Sequence, residues 1–568
     1  MNDIRRTILW VVFGFSMVML WDQWQIASGQ PATFFPAPRP AATASAPASS
    51  SAATASASLP TATAAAPGAT PPVNAAPGAA ADRPRERVTV TTDVMRLTFD
   101  TQGGSLTGAE FLKHAADADN GKKSSAHFVL LEDNAQRHYV AQSGLIGGDF
   151  PNHTTVMTVS GERELKDGAK ELVLRFESPE QGGVKLVKTY TLQRGAYDVA
   201  VKHEIINTGS APVTPRVYLQ LVRDGSKLPG ESAFYSTFTG PAVYTEEKKF
   251  QKVEFADIDK NKVDFQKASS QGYVAMVQHY FASAWILPGG LQRELFVRKP
   301  ENNRYAVGMI TPPEALAPGA TQAVTATFFA GPQEEKMLER VAPGLDLVKD
   351  YGWLTILAKP LYWLMDKLHG VLGNWGWSIM ALVLVIKIAF YWLQAKGYES
   401  MAKMKAINPR VMAMRERLKD NPQQMQQEMM KLYREEKVNP IGGCLPILVQ
   451  VPVFIALYWV LLSSVEMRHA PWIGWIQDLS AKDPFYILPI VMTLTTLLQT
   501  ALNPVPPDPM QAKLMWFMPL IFSVMFFVFP AGLVLYWITN NVLSIAQQWL
   551  INTRMGVPPE FNLPKFNK

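Results

Sequence analysis

The chain has 568 residues, 54 of them basic and 48 acidic, for a net charge of +6, and one cysteine, Cys444. The length is too great for a single compact core, and one cysteine excludes a disulfide framework or a thiolate zinc site built within the chain. Much of the basic excess lies in short segments beside apolar runs, the pattern of a membrane protein; a nucleic-acid binder would want a dense basic face interleaved with aromatics.

At the N-terminus Arg5 and Arg6 precede an apolar run from Ile8 to Trp21. The following residues offer no small-residue cleavage site, and Trp21 and Trp24 suit interfacial anchoring. Residues 1–29 therefore read as an uncleaved signal-anchor helix, with a cleaved signal peptide as the alternative; either way the chain after it is exported. Residues 30–86 are largely Ala, Pro, Ser, Thr and Gly with little charge, too poor in apolar surface to offset the entropy of ordering. As a flexible coil of about fifty residues this tether spans roughly 40 Å r.m.s..

From residue 87 to 335 the pattern turns to alternation. VTV, VMRLTF, HFVLL, TVMTV, ELVLRF, VKLVKTYTL, DVAVKHEII, VYLQLV and AVTATFFA read as strands. Turn-formers separate them, such as Asp100–Gly104, Gln181–Gly183 and Asn207–Gly209. Many short strands without helical runs between them predict one large antiparallel sandwich. The segment carries no phosphate loop, no H-E-x-x-H and no G-x-S-x-G, and His203-Glu204 reads as part of an alternating strand face. Residues 336–374 predict an interfacial amphipathic helix: the apolar part between Asp350 and Asp366 is about 22 Å long as helix, short of a bilayer core of about 30 Å, and Lys359 and Pro360 interrupt it.

Five apolar runs follow, at about 375–394, 441–463, 485–502, 514–530 and 532–551, which with the first anchor predict six spans. The loop over 396–440 carries ten Lys and Arg residues, so it is expected on the cytoplasmic side. Parity then puts both termini in the cytoplasm and the β domain outside. That loop reads as two helices broken near Asn421-Pro422. Its methionines, Met401, Met404, Met412, Met414, Met425, Met429 and Met430, suit either adaptable contacts with apolar partners or packing of the hairpin on itself.

Lys387 lies inside the apolar stretch Met380–Trp392, where a charge is unfavourable by roughly 2.5–3.5 kcal/mol on insertion scales. The later spans contain no Asp, Glu or His, which leaves no acidic partner and no titratable relay of the kind a proton-coupled transporter uses. Polar residues cluster toward the same, cytoplasmic half: Gln450, Gln499, Ser523, Asn540, Asn541, Ser544, Gln547 and Gln548. They predict either a water-filled cavity around Lys387 or separate interhelical hydrogen bonds.

Three stretches then bring a resemblance into view. SMAKMKAINPRVMAMRERLKDNPQQMQQEMMKLYREEKVNPIGGCLPILVQVPVF, DPFYILPI, and DPMQAKLMWFMPLIF with FPAGLVLYWITNN resemble the bacterial YidC/Oxa/Alb family of membrane protein insertases. The resemblance implies a multi-pass α-helical membrane protein of six spans with a five-helix insertase core (375–551, including the hairpin 396–440). It also implies a periplasmic all-β supersandwich, akin to sugar-mutarotase folds but with no catalytic role, and a short cytoplasmic tail (552–568). It implies a hydrophilic groove open to the cytoplasm, with Lys387, Gln450, Tyr536 and Trp537 as groove residues and Phe454, Phe522 and Met525 as the slide along which a substrate's hydrophobic segment enters lipid. The implied partners are nascent membrane proteins, the lipid bilayer, the Sec translocon, and the ribosome and signal recognition machinery through the hairpin. The implied location is the bacterial inner membrane. No enzyme activity, cofactor or metal is expected. Many relatives carry Arg where this chain has Lys387, and some a Thr where Val383 stands. Two rivals remain at this stage: a small-solute transporter or channel, and a membrane-anchored carbohydrate-active enzyme.

Overall fold

The structure is a computed structural model that describes residues 59–60, 84–116, 125–227, 237–418, 421–436, 445–503, 509–556 and 561–562. The N-terminal anchor, nearly all of the tether and most of the tail after 556 lie outside these residues. The chain divides into two compact units, one of residues 31–350 and one holding residues 351–568.

The first unit is two nine-stranded antiparallel sheets. One runs, in spatial order, Arg87–Thr91, Met95–Asp100, Ser105–Ala115, His127–Asp133, His138–Ile146, Arg216–Asp224, Arg304–Ile310, Arg293–Glu301 and Ala268–Ser269. The other runs Lys249–Lys252, Gly240–Thr245, Tyr273–Gln278, Phe281–Ile286, Thr321–Pro332, Asp198–Asn207, Val184–Gln193, Glu171–Glu177 and Thr158–Gly161. Alternation explains the strands with one wet face: in Glu171–Glu177 every second residue is buried, as a half-buried strand requires. Of TVMTV only the last two residues enter a strand, because Asn152–Thr155 form a turn in which Asn152 Oδ1 caps the Thr154 N–H at 2.8 Å. Gly161, at φ +120° with a Cβ position 2.4 Å from Val173 O, sits where no other residue fits.

A buried lysine crosses between the sheets. Lys188 on Val184–Gln193 is fully buried and its Nζ donates to Gly103 O and Ser143 O, both at 2.6 Å. Beside it His203 Nε2 meets Ser143 Oγ at 2.8 Å, and Tyr190 OH donates to Gly104 O at 2.7 Å. Burial pushes Lys188 down to about 7, and burial together with the Lys188 charge pushes His203 to about 3 and His153 to about 4. All three shifts favour the neutral form, so the unfolded chain binds more protons than the folded one. The Lys188 contribution is full above its unfolded value and is lost as pH falls toward 7; the histidine contribution is lost below about 6.5. The melting temperature of the excised unit (residues 84–350), followed by circular dichroism, should therefore rise from pH 5 to pH 9. A flat or falling profile would contradict the buried neutral lysine.

The expected interfacial helix over 336–374 is corrected. Its first part belongs with the sheets: Glu335–Val341 is a short helix, Leu345–Val348 a 3₁₀ turn, and Tyr273 OH donates to Gly344 O at 2.7 Å. Only Thr355–Leu372 (α1) is one long helix, and it runs through Pro360. Its Ala358, Tyr362 and Met365 are buried in the second unit, while Ile356, Trp363 and Val371 stay exposed.

The second unit continues with Trp375–Ala389 (α2), Tyr391–Arg417 (α3), Pro422–Glu435 (α4), Leu445–Ser463 (α5), Ile487–Leu502 (α6), Pro509–Met525 (α7) and Ala531–Arg554 (α8). The described residues do not establish six spans, and the first expected span lies outside them. Among the described residues no single helix is long and apolar enough to cross a membrane, and the one candidate is the pair α2 and α3, bent by 70°. The reasons are physical. Sixteen residues make α6 only about 24 Å long, and α8 carries Asn540, Asn541, Ser544, Gln547, Gln548 and Asn552 in its length. The expected span over 375–394 breaks at Phe390 without a proline or glycine, at the point where Lys387 reaches across to Gln394. The hairpin helix accordingly starts at Tyr391, five residues earlier than predicted. Within the hairpin, Met404 and Met429 pack with Leu432 and Tyr433 on Ile407 and Val411, whereas Met412 and Met430 are each 48% exposed. The packing role thus has occupants, and two further methionines lie on the surface.

Candidate functional site

Asn374 caps α2 by accepting from the Trp377 N–H at 3.2 Å, and from there the helix carries Lys387 to its last turn. The lysine is only 7% exposed. Its Nζ donates to Ser544 Oγ at 2.7 Å and lies 3.4 Å from Gln394 Oε1. Ser544 passes its own proton to Asn540 O at 2.7 Å, one turn back on α8, so its lone pairs face the ammonium. Both hydrogen-bond partners of this charge, Ser544 and Gln394, are neutral. That is a weaker compensation than a carboxylate would give, and it leaves the ammonium ready to exchange for an anion.

Around it lie Val383, Ile386, Phe390, Gln394, Gln450, Val453, Tyr536 and Asn540, lining a partly open cavity of about 20 Å³. That is room for a single water. Of the predicted groove residues the structure brings Lys387, Gln450 and Tyr536 into this one cavity. Trp537 points elsewhere: its ring packs at 4.8 Å on Phe454 and 5.2 Å on Phe526. Phe454 also lies along Tyr536, at 6.0 Å between ring centres. Phe522 and Met525, on α7, are 53% and 38% exposed. Gln394, Asn540 and Ser544 were not among the predicted site residues. Asn540 and Ser544 did belong to the polar cluster expected around Lys387; Gln394 comes into reach only through the bend at Phe390, which nothing in the local sequence announces. The other polar residues divide as the second expectation had it: Asn541 Nδ2 bonds Thr496 Oγ1 at 2.8 Å and Gln548 Nε2 bonds Leu502 O at 3.3 Å, both joining α8 to α6.

The opposite end of the helices is closed by the segment 464–486. Gly532 N donates to Leu479 O at 2.9 Å and Ala531 N to Ala481 O at 2.7 Å, which ties the segment to the start of α8. Asn374 Nδ2 donates to Pro471 O at 3.1 Å, and Trp472 covers Gly376 on α2. Asp483, 1% exposed, accepts from Leu488 N at 2.7 Å, Phe485 N at 3.0 Å and Trp475 Nε1 at 3.1 Å. Tyr362 of α1 donates to Glu466 at 2.6 Å, so the surface helix is fastened to the same closure.

A lysine held by neutral groups at one end of an apolar bundle, and a built closure at the other, mark a helical unit with a one-sided polar site, in the same chain as a large β domain. Residues 87–364 match the family model described as the YidC periplasmic domain, and residues 367–557 the one described as 60Kd inner membrane protein. The chain belongs to the YidC family of inner-membrane protein insertases. It is similar to the membrane protein insertase YidC of Cupriavidus necator (57% identity, covering 98% of each chain) and to that of Ralstonia nicotianae (54%, also 98% of each). Among solved structures it is similar to an active YidC insertase with its first transmembrane domain resolved, at 20% identity and a TM-score of 0.38 over 82% of this chain and 92% of the other.

Proposed function

We propose that this chain inserts nascent membrane proteins into the bacterial inner membrane by way of the Lys387 cavity. The observation that carries the reading is a buried ammonium whose hydrogen-bond partners, Ser544 and Gln394, are both neutral. A polar segment crossing hydrocarbon unaided loses several kcal/mol per charge or unpaired backbone group. An acidic residue entering beside Lys387 replaces neutral acceptors with a charged one. Gln394, Gln450 and Asn540 offer hydrogen bonds to the accompanying backbone, and the cavity widens as α2 and α8 part around the incoming segment. The substrate's hydrophobic stretch then leaves past Phe454, Phe522 and Met525 into lipid, and its partition supplies the driving force. In this reading the Lys387 end and both termini face the cytoplasm, the β unit faces the periplasm, and the hairpin, with Met412 and Met430 exposed, meets the ribosome and signal recognition machinery; the Sec translocon is the membrane partner.

The test is reconstitution into liposomes with a small single-span substrate bearing an acidic N-terminal segment. Insertion without nucleotide is expected, and it should survive removal of residues 87–350 to within about twofold. The cut spares Tyr351, which is buried in the helical unit, and α1 with its Tyr362–Glu466 bond. Flux of small solutes without any nascent chain, in place of insertion, would favour the channel reading. Loss of insertion by a deletion variant that still accumulates in the membrane would give the β unit a direct role.

A further inference from the structure

One pair of residues from the Ala/Pro tether is seated on the β unit. Between Phe35 and Val88 the only large apolar side chains are Leu59 and Val73, and it is Leu59, followed by Pro60, that docks. Leu59 packs against Ile146, Tyr218 and Ile310, and Phe296 packs against the same three. Pro60 is buried. The seat crosses four neighbouring strands, His138–Ile146, Arg216–Asp224, Arg304–Ile310 and Arg293–Glu301, with Tyr218 opposite Ile310 and Phe296 opposite Gly308 in register. Gly308 is needed for its shape: a Cβ there would lie 2.4 Å from the Phe296 ring and 2.5 Å from Leu219 O, so the ring folds down over the glycine.

The polar half of the contact is equally specific. Arg298 Nη1 donates to the Leu59 carbonyl at 2.5 Å, and the same guanidinium is held 5.6 Å from the Phe296 ring centre and 3.3 Å from Gln220 Oε1. Pro60 brings no N–H that burial would leave unsatisfied, and it restricts Leu59 to extended backbone before docking. A charge-assisted bond to the one carbonyl, an apolar seat for the one large side chain, and a proline that removes the next donor together describe a recognition site.

We propose that this face of the sheet is a binding site for an extended Leu-Pro peptide, and that its resident occupant is the chain's own tether. The contact divides the tether into two shorter lengths, leaving 29 residues from Gln30 to Ser58 on the N-terminal side. Linked through residues 61–83, the pair is presented at an effective concentration in the millimolar range. A free peptide of the same sequence therefore competes only when it reaches that range.

The experiment is spin-label mobility in the full-length protein in lipid nanodiscs, in a Cys444→Ser background. A label at Thr61→Cys should show an immobilised spectrum, with a correlation time several-fold longer than a label at Ala75→Cys. Leu59→Ser, which lies outside both sheets and leaves their folding intact, should bring the Thr61 label to the mobility of the Ala75 label. Arg298→Ala should do the same, and a synthetic peptide of residues 56–62 should release it with half-effect at millimolar concentration. Equal mobility at the two positions, or an immobilised Thr61 label that Leu59→Ser leaves unchanged, would overturn the proposal.

Discussion

Lys387→Glu should reduce insertion of a substrate with an acidic translocated segment by tenfold or more, and Lys387→Arg should retain it. A carboxylate about 4 Å from the ammonium gains on the order of 4 kcal/mol at an effective dielectric of about 20, before desolvation. Reversing the charge turns that attraction into repulsion of similar size. Lys387→Leu should fall between the two, since it removes the attraction without adding repulsion and leaves Ser544 and Gln394 short of a donor. Arginine keeps a permanent charge and can reach the same two acceptors. Comparing acidic and neutral substrates in one reconstituted assay separates this electrostatic role from a general loss of structure, because only the acidic substrate should respond to the sign of residue 387. Equal activity of the glutamate variant on both would make the lysine incidental.

Gly376→Leu should open the closed end of the bundle. A Cβ at that position lies 2.1 Å from Trp472 Cδ1 and 2.8 Å from its Cβ, so a rotamer change cannot clear it and the segment carrying Trp472 must move. Overpacking of this kind costs about 1–3 kcal/mol, and the displaced segment also holds Leu479 and Ala481 against the start of α8. The expected results are a lower melting temperature in detergent and ion leakage through proteoliposomes that the parent protein keeps tight. Gly370→Ala is the control: nothing lies within 4 Å of its Cβ, and removing a helical glycine is neutral or slightly stabilising. A Gly376→Leu protein as stable and as tight as that control would show the closure to be pliable.

Period-two alternation made the β unit legible, since strands such as Asp198–Asn207 bury one face and wet the other. The pattern fails where both faces are covered: all six residues of Tyr273–Gln278 are buried, and that strand went unread. Fully interior groups defeat pattern reading in another way. In VKLVKTYTL Lys188 lies in phase with the buried Val184, Leu186, Tyr190 and Leu192, but the period does not reveal that its ammonium crosses between the sheets. In the helical unit the charge of Lys387 stood out because a membrane-like run has a uniform background. What it touches was hidden, because Ser544 is 157 positions away and the bend that brings Gln394 into range has no proline or glycine to mark it. Part of the closure at 464–486 was hidden because the bonds of Leu479, Ala481 and Pro471 are made by backbone carbonyls, which every residue carries.

The two ends of the helical unit also divide the work of the membrane voltage. Polar side chains surround one end, whereas the other is packed with Leu457, Phe526, Phe529, Leu533 and Leu535. In an energised membrane, potential drops mainly across the less polarisable layer, so the field concentrates on the apolar end instead of spreading over the full thickness. If substrates take the route proposed above, then with the interior negative an anionic residue passing outward through that layer gains about 2.3 kcal/mol per charge at 100 mV, and a cationic one loses the same. Under the proposed orientation, the charge of a substrate is thereby coupled to the membrane voltage.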